Sequence, residues 1–362
     1  MRRITALIAM CALIGGLAAC QPAVPETPAP DKEPPTAPQP VSSGMWISKA
    51  EIAKLPTSGA AWNNLVAEAN GNWGTASLSD NNATHDTSTL AGALVAVRTN
   101  NAAMAAKTRS AIMSITKINS FNRVLELSRN VPSYVIAADL VGLSSKDDAT
   151  FKSFISGLRT KPLSGHSGGK SMVTTALVSP NNWGTMARAA TLSIDLYVGD
   201  KAGAAQVAKA HQAWLGDNVA NTLNYTSTKW HASGSKAGIN RRGATINGQN
   251  VDGVIPEDQR RTGEPGGGSA AKGSYPWEAL QGATVTGVLA HRAGLVDINA
   301  GDHALQRAYN WLYKTNGNPP SNDDRWQPWI LNRVAGTSFA ASAPTSPGKN
   351  MGWGDWSHGP HS

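Results

Sequence analysis

A long series of helical patterns with almost no strand pattern limits what this chain can fold into. From Ala60 to about Thr222, apolar residues recur at helical spacing in successive segments of roughly 10–17 residues. A polar stretch at 225–274, rich in Gly, Asn, Arg and Ser, interrupts the series, and helical pattern returns over 277–334. We therefore expect an all-α fold in which paired helices form an (α/α) toroid, an incomplete barrel, with a long polar insertion containing short β segments. A plain helical bundle is the alternative.

The first 19 residues have the form of a bacterial signal peptide. Arg2 and Arg3 precede an apolar run that is too short for the roughly 20 apolar residues of a membrane span. The run ends in Leu17-Ala18-Ala19-Cys20, which resembles the lipobox of bacterial lipoproteins. That resemblance implies cleavage before Cys20 and lipidation of its thiol. An ordinary secretory signal cut after Ala19 is the alternative.

Residues 20–44 then form a Pro-rich tether, because a stretch so rich in proline and small polar residues cannot bury a core. The only other cysteine, Cys11, leaves with the signal peptide, so neither a disulfide nor thiol chemistry is expected. Gln21 follows the lipidated residue, where an Asp would favour retention in the inner membrane. We expect attachment to the membrane through Cys20, with the outer membrane favoured, and one large domain over 45–362.

Charge and composition indicate the kind of partner. The net charge is +8 at pH 7, of which Arg2 and Arg3 contribute two, and this surplus suits an anion. Twelve Trp against four Phe favours carbohydrate, because indole rings stack on sugars. Nucleic acid is not expected outside the cytoplasm. Neither a metal nor a cofactor is expected, because the histidines lack ligand spacing and the acids form no calcium loop. We expect a monomer.

Functional-looking residues concentrate at helix junctions and in the polar insertion, where binding groups usually lie. Each cluster also has a structural explanation: helix capping, a salt-bridged loop, a buried Tyr or core packing. His85-Asp86, just before a predicted helix, forms a further pair that capping also explains. The four clusters are SPNNWG (179–184), DGVIPEDQRRTGEP (252–265), SYPWEALQG (274–282) and DDRWQPWILN (323–332).

Together these clusters resemble the alginate-lyase-like polysaccharide lyases, a superfamily with an (α/α) toroid fold. In polysaccharide lyase family five, Asn-Asn-His opens a helix, a segment Asp-Gly-x-x-Pro-x-Glu-x-x-Arg follows, and a Tyr comes later. The corresponding residues here are Asn181-Asn182-Trp183, Asp252–Arg260 and Tyr275. The chain departs from the pattern at Trp183, which replaces the histidine, in an acid one residue earlier, and in a longer spacing from Arg to Tyr.

The resemblance implies cleavage of an acidic polysaccharide by β-elimination. Tyr275 is then the base and the acid, and Asn182 with Arg260 or Arg261 neutralises the uronate carboxylate. With Trp183 in place of the histidine, another imidazole is needed, and we rank His231 and His85 ahead of the other histidines, among them His166 and His211. The substrate-binding candidates are Asn181, Trp183, Trp230, Arg241, Trp277, Glu278, Arg325 and Trp326.

Two other functions stay open at this point. A glycoside hydrolase on the same fold needs a pair of carboxylates at a defined separation, and Asp252, Glu257, Asp258 and Glu278 are the candidates. A non-catalytic glycan-binding envelope lipoprotein would have kept the fold without the chemistry. The sequence does not choose between mannuronate, guluronate and glucuronate polymers.

Overall fold

The described part of the chain is mostly helical, so the expected all-α class is confirmed. A computed structural model describes residues 44–217, 222–226, 229–232, 236–265, 272–342 and 348–360. The expected signal peptide, Cys20 and all of the tether except Gly44 lie outside the described residues. The helices are α1 (Lys49–Ile52), α2 (Ala60–Asn70), α3 (His85–Thr99), α4 (Ala102–Ser114), α5 (Val124–Val141), α6 (Ser145–Thr160), α7 (Met172–Val178), α8 (Asn182–Val198), α9 (Lys201–Leu215), α10 (Pro256–Gln259), α11 (Tyr275–Arg292), α12 (Ala300–Asn310), α13 (Gln327–Ala335) and α14 (Gly354–Ser357).

Local sequence signals set several helix ends. Gly199 ends α8 in a left-handed conformation that glycine adopts without strain, and the Asp200 side chain accepts a hydrogen bond from the Gly203 N–H to open α9. This stop and restart is the one that the sequence predicts. Pro132 does not split α5, which runs unbroken from Val124 to Val141.

Four long helices form a continuous layer through the core. α3 packs on α5, α5 on α8, and α8 on α11, and α11 also contacts α13. Further helices pack on this layer, with α2 and α4 against α3, and α6, α7 and α9 against α8. At Gly282 of α11 an added Cβ would lie 2.3 Å from the Thr185 carbonyl carbon of α8. Only glycine allows the two backbones to approach this closely.

The polar insertion contains short β segments, as expected, and in the structure they pair as a hairpin. Strands β1 (Thr245–Ile246) and β2 (Gln249–Asn250) pair antiparallel, with Thr245 opposite Asn250. The two residues between them, Asn247 and Gly248, both have positive φ, as a tight primed turn requires.

The last described segment, 348–360, closes the core although its Gly- and Ser-rich sequence does not predict this. Trp353 and Trp356 are buried, and their indole N–H groups donate to the carbonyls of Thr87 (2.8 Å) and Pro56 (3.0 Å). Among the described helices, none combines the length and the apolar character that crossing a bilayer requires.

Candidate functional site

The N-terminal parts of α5, α8 and α11 meet, and the site is built where they meet. Asn182, the first residue of α8, donates from its side-chain amide to Glu278 of α11 (3.0 Å) and from its backbone N–H to Asp258 (3.1 Å). Asn181 is the N-cap of α8, but its side chain makes no capping bond. Helix capping therefore does not explain where the side chains of Asn181 and Asn182 are positioned.

Glu278 is anchored by an arginine that the sequence analysis did not select. Arg129 of α5 is buried, and its guanidinium lies 2.7 Å from the Glu278 carboxylate. The other side of that guanidinium contacts the side chain of Asn81, in the loop before α3. Arg129 lies inside a mostly apolar helix with no motif around it, so no sequence signal marked it.

Tyr275 and Arg261 form the second element of the site. Tyr275 is the first residue of α11 and is partly exposed, and the Arg261 guanidinium carbon lies 3.5 Å from the centroid of its ring. Such a contact fixes the orientation of both groups. Tyr275 also precedes Glu278 by one helical turn. The structure thus brings Asn182 and Arg261 close to Tyr275 and Glu278, although Asn182 and Glu278 are 96 positions apart in the sequence.

Arg260, next in sequence to Arg261, is engaged elsewhere. Its Nε lies 3.1 Å from the buried carboxylate of Glu257, which also accepts hydrogen bonds from the Thr226 backbone N–H and hydroxyl. His231 Nε2 lies 3.5 Å from the same carboxylate. Arg260 and His231 therefore both lie beside the buried Glu257 carboxylate, which has a structural role.

The arginines of the site differ in whether a carboxylate neutralises them. Within the described residues, no carboxylate lies within ion-pair distance of Arg261, which is exposed. Burial raises the pKa of the adjacent Asp258 well above its usual range, and the charge of Arg261 opposes this. The paired arginines are Arg123 with Glu126, Arg129 with Glu278 and Arg260 with Glu257.

Trp183 lies at the edge of this cluster and is only partly buried. The Arg123 guanidinium lies 5.5 Å from its ring and the His166 ring 5.8 Å away. His166 is the histidine that the structure adds to the site, although the sequence analysis ranked it below His231 and His85.

His85 does not join this cluster, contrary to its ranking as a catalytic candidate. Its ring is buried between Trp73 and Tyr134, and its Nδ1 lies 2.7 Å from the Tyr134 hydroxyl. Burial also lowers the pKa of His85. The prediction is corrected: His85 forms a core hydrogen bond.

The neighbouring Asp86 gives a testable dependence of stability on pH. Burial raises its pKa from 3.8 to about 8, so between roughly pH 4 and 8 the unfolded chain loses this proton while the folded chain keeps it. Folding stability should then fall with rising pH by up to about 1.4 kcal/mol per pH unit. We expect Asp86→Asn to melt at a higher temperature than the wild type at pH 8, with the difference vanishing near pH 4. An equal difference at both pH values would contradict this.

Three of the four tryptophans proposed as sugar platforms are core residues. Trp230, Trp277 and Trp326 are at most 2% exposed. The indole N–H groups of Trp230 and Trp277 donate to the carbonyls of Gly263 (2.7 Å) and Asn318 (2.8 Å). A ring without an exposed face cannot stack on a sugar, so the prediction is wrong for these three and stays a prediction for Trp183.

Two further substrate-binding candidates lie apart from the cluster. Arg241 is exposed and lines a separate cavity together with Arg242 and Asp302. Arg325 is exposed beside Asp324, which is buried and accepts a hydrogen bond from Gln281. The described contacts do not bring either arginine to Asn182 or Tyr275.

No protein-family model matches the sequence, and no curated protein matches it significantly. In the described ranges, no three His, Cys, Asp or Glu side chains are grouped as a metal site would require.

Proposed function

We propose that this chain is a polysaccharide lyase that cleaves a 4-linked uronate polymer by β-elimination, on helices arranged as an incomplete (α/α) toroid. The observation that carries the proposal is the contact of Arg261 with Tyr275 beside Asn182. It combines an exposed cation that has no ion pair among the described residues with a partly exposed phenol at the start of α11, next to Asn182 at the start of α8. The packing order of α3, α5, α8 and α11 supports the toroid, in which they form the inner layer.

The reaction requires a cation and a group that transfers protons. The C5 proton of a uronate lies α to a carboxylate, and it becomes acidic enough to remove only when the negative charge on that carboxylate is stabilised. The exposed Arg261 guanidinium is the donor for that charge, and one such donor contributes about 10²–10³ in rate. The Asn182 side chain is buried, so its amide supports the site through Glu278. The structure favours Arg261 over Arg260 for this task, because Glu257 already neutralises Arg260.

Tyr275 supplies the proton transfers. Its phenolate oxygen takes the C5 proton, the C4–O bond breaks with its electron pair leaving on oxygen, and a C4=C5 double bond forms. When the leaving oxygen lies on the same face of the ring, the resulting phenol returns the proton to it. Glu278, anchored by Arg129, holds the Asn182 side chain in place while this happens.

The hydrolase alternative is less well supported by these side chains. Asp258 and Glu257 are at most 1% exposed, and the two partly exposed carboxylates, Asp252 and Glu278, are each paired with a buried arginine, Arg307 and Arg129. A hydrolase needs two carboxyl groups that both reach the scissile bond.

The proposal also retains a lipid anchor on Cys20 in the outer membrane, a monomeric domain and an acidic polysaccharide as partner.

The direct test uses the secreted chain with Cys20→Ala, which leaves the protein unlipidated. It is incubated with polymannuronate, polyguluronate and polyglucuronate while the ultraviolet absorbance of the unsaturated uronate is followed. We expect absorbance to rise with at least one polymer. New reducing ends without absorbance would indicate a hydrolase, and binding without either signal would indicate a glycan-binding protein; both results contradict the proposal.

A further inference from the structure

Trp329, in α13, does not belong to the hydrophobic core. Of the twelve tryptophans in the chain, ten are buried in the core, and Trp183 packs against it from a partly buried position. Trp329 is partly exposed and is not packed against the core. An indole ring in this position combines a large apolar surface with access to a ligand, and sugar rings stack on such surfaces.

Trp329 lines a cavity of about 470 Å³ at the end of α13. Hydrogen bonds fix the segment that follows α13 to the helix. The Asn332 side-chain amide donates to the Phe339 carbonyl (2.9 Å), and its oxygen accepts from the Phe339 N–H and the Thr337 hydroxyl (both 2.8 Å). Thr337 and Phe339 line the cavity as well, so this wall is held in place by the protein itself.

Arg333 lies on the same side of α13 as Trp329. The two residues are four positions apart, so they are neighbours on one face of the helix, and both line the cavity. Arg333 is exposed, and none of the ion pairs among the described residues includes it. A guanidinium binds a carboxylate through two parallel hydrogen bonds. The cavity therefore offers an aromatic surface and a carboxylate-binding group side by side, which match the ring and the carboxylate of a uronate.

A second cavity, of about 440 Å³, adjoins the first, because Arg333 and His358 line both. We call the two adjoining cavities the α13 groove. Lys54 and His291 line its second part. Lys54 is exposed and, like Arg333, belongs to no ion pair in the described part of the chain.

The α13 groove carries a surplus of positive charge. Glu51 is the only acidic residue among the described residues that line it. The Arg292 guanidinium neutralises Glu51 through two contacts with its carboxylate, at 3.1 and 2.8 Å. The positive charges of Lys54 and Arg333 therefore have no counterpart in the groove. This surplus favours an anionic ligand over a neutral one.

We propose that the α13 groove is a second, non-catalytic binding site for the acidic polysaccharide. This rests on the proposed function, which supplies the polymer. One uronate ring stacks on Trp329 while its carboxylate pairs with Arg333. The polymer continues past Lys54 in the adjoining cavity, where a further carboxylate meets the ammonium group.

The groove lies far from the residues of the proposed reaction. His291 and Tyr275 stand at opposite ends of α11, which spans 18 residues, so roughly 24 Å of helix axis separates them. A trisaccharide therefore occupies one site at a time, whereas a long polymer can bind to both. Binding at two linked sites raises the effective concentration of the polymer at Tyr275.

The test compares Arg333→Ala and Trp329→Ala with the parent Cys20→Ala chain, on a long uronate polymer and on its trisaccharide. We expect KM for the polymer to rise by about tenfold, since a hydrogen bond to a charged group contributes at least that factor to binding. KM for the trisaccharide should stay the same, because a short substrate gains nothing from a distant site.

Lys54→Ala and Lys201→Ala form a matched pair for the effect of charge. Both lysines are exposed, but Lys201, at the start of α9, does not line the groove. Lys54→Ala should raise KM for the polymer, and Lys201→Ala should not. Equal effects of the two lysine variants would overturn the proposal. So would an unchanged KM for the polymer in Arg333→Ala, or a rise in KM for the trisaccharide as large as that for the polymer.

Direct binding separates this inference from the proposed function. If the parent chain cleaves no uronate polymer, the function fails, and hexasaccharides of mannuronate and guluronate are then titrated into it by calorimetry. Saturable binding that Arg333→Ala and Trp329→Ala weaken, and Lys201→Ala does not, would support the groove as a uronate site. Absence of binding, or binding that neither groove variant weakens, would overturn it.

Discussion

Replacing Tyr275 by Phe should lower kcat for uronate cleavage by about 10²–10⁴-fold, the range that general acid–base catalysis contributes, with the fold intact. The variant removes one oxygen and keeps the ring on which the Arg261 guanidinium lies at 3.5 Å. The carboxylate-binding cation therefore stays in position. We expect KM to change little, because binding of the uronate carboxylate does not require the phenol oxygen.

Tyr313→Phe is the matched control for this experiment. The Tyr313 hydroxyl donates to the Ala340 carbonyl (2.6 Å), and its ring packs against Trp277, away from Asn182 and Arg261. Removing it should reduce stability by about 1 kcal/mol and leave kcat unchanged. If Tyr275→Phe kept full activity, Tyr275 would not be the acid or the base, even in a chain that proved to be a lyase.

Local signals in the sequence predict much of the fold because they act within a few residues. The stop at Gly199 with the restart at Asp200 depends on backbone preferences of single residues. The turn at Asn247-Gly248 depends on the same kind of preference, although only short β segments were expected there. Their effects do not require knowledge of distant partners.

Burial depends on distant partners, and there the sequence analysis erred. Trp230, Trp277 and Trp326 lie in polar, motif-like segments, yet the structure buries them. The 348–360 segment has the composition of a loop, but Trp353 and Trp356 place it in the core. A single sequence shows which residues are apolar enough to pack around an indole ring. It does not show which of them lie next to that ring in the folded chain.

The site was predictable in part for the same reason. Asn182, Arg261, Tyr275 and Glu278 each stand in a short segment with unusual polar composition, so local inspection found them. Arg129 and His166 enter through long-range contacts, Arg129 from the interior of an apolar helix. Judged by its neighbours in the sequence, His85 is a good catalytic candidate. Its neighbours in space, however, are the core residues Trp73 and Tyr134.

Replacing Glu278 by Ala should destabilise the folded protein by about 3 kcal/mol. Its partner Arg129 has a side chain only 3% exposed, and without the carboxylate its charge would remain buried and unpaired. Breaking a buried pair on one side costs about 3–5 kcal/mol, and the lower end applies because the Glu278 side chain is 23% exposed. The free energy of unfolding from urea titration measures the loss.

Two controls distinguish a buried unpaired charge from a general effect of the substitution. Glu264→Ala breaks the exposed pair with Lys229 by the same change of residue and should cost at most about 1 kcal/mol. Arg129→Met in the Glu278→Ala background removes the unpaired charge, so the double variant should recover part of the lost stability. If the double variant were less stable than Glu278→Ala alone, the loss would come from packing and not from charge.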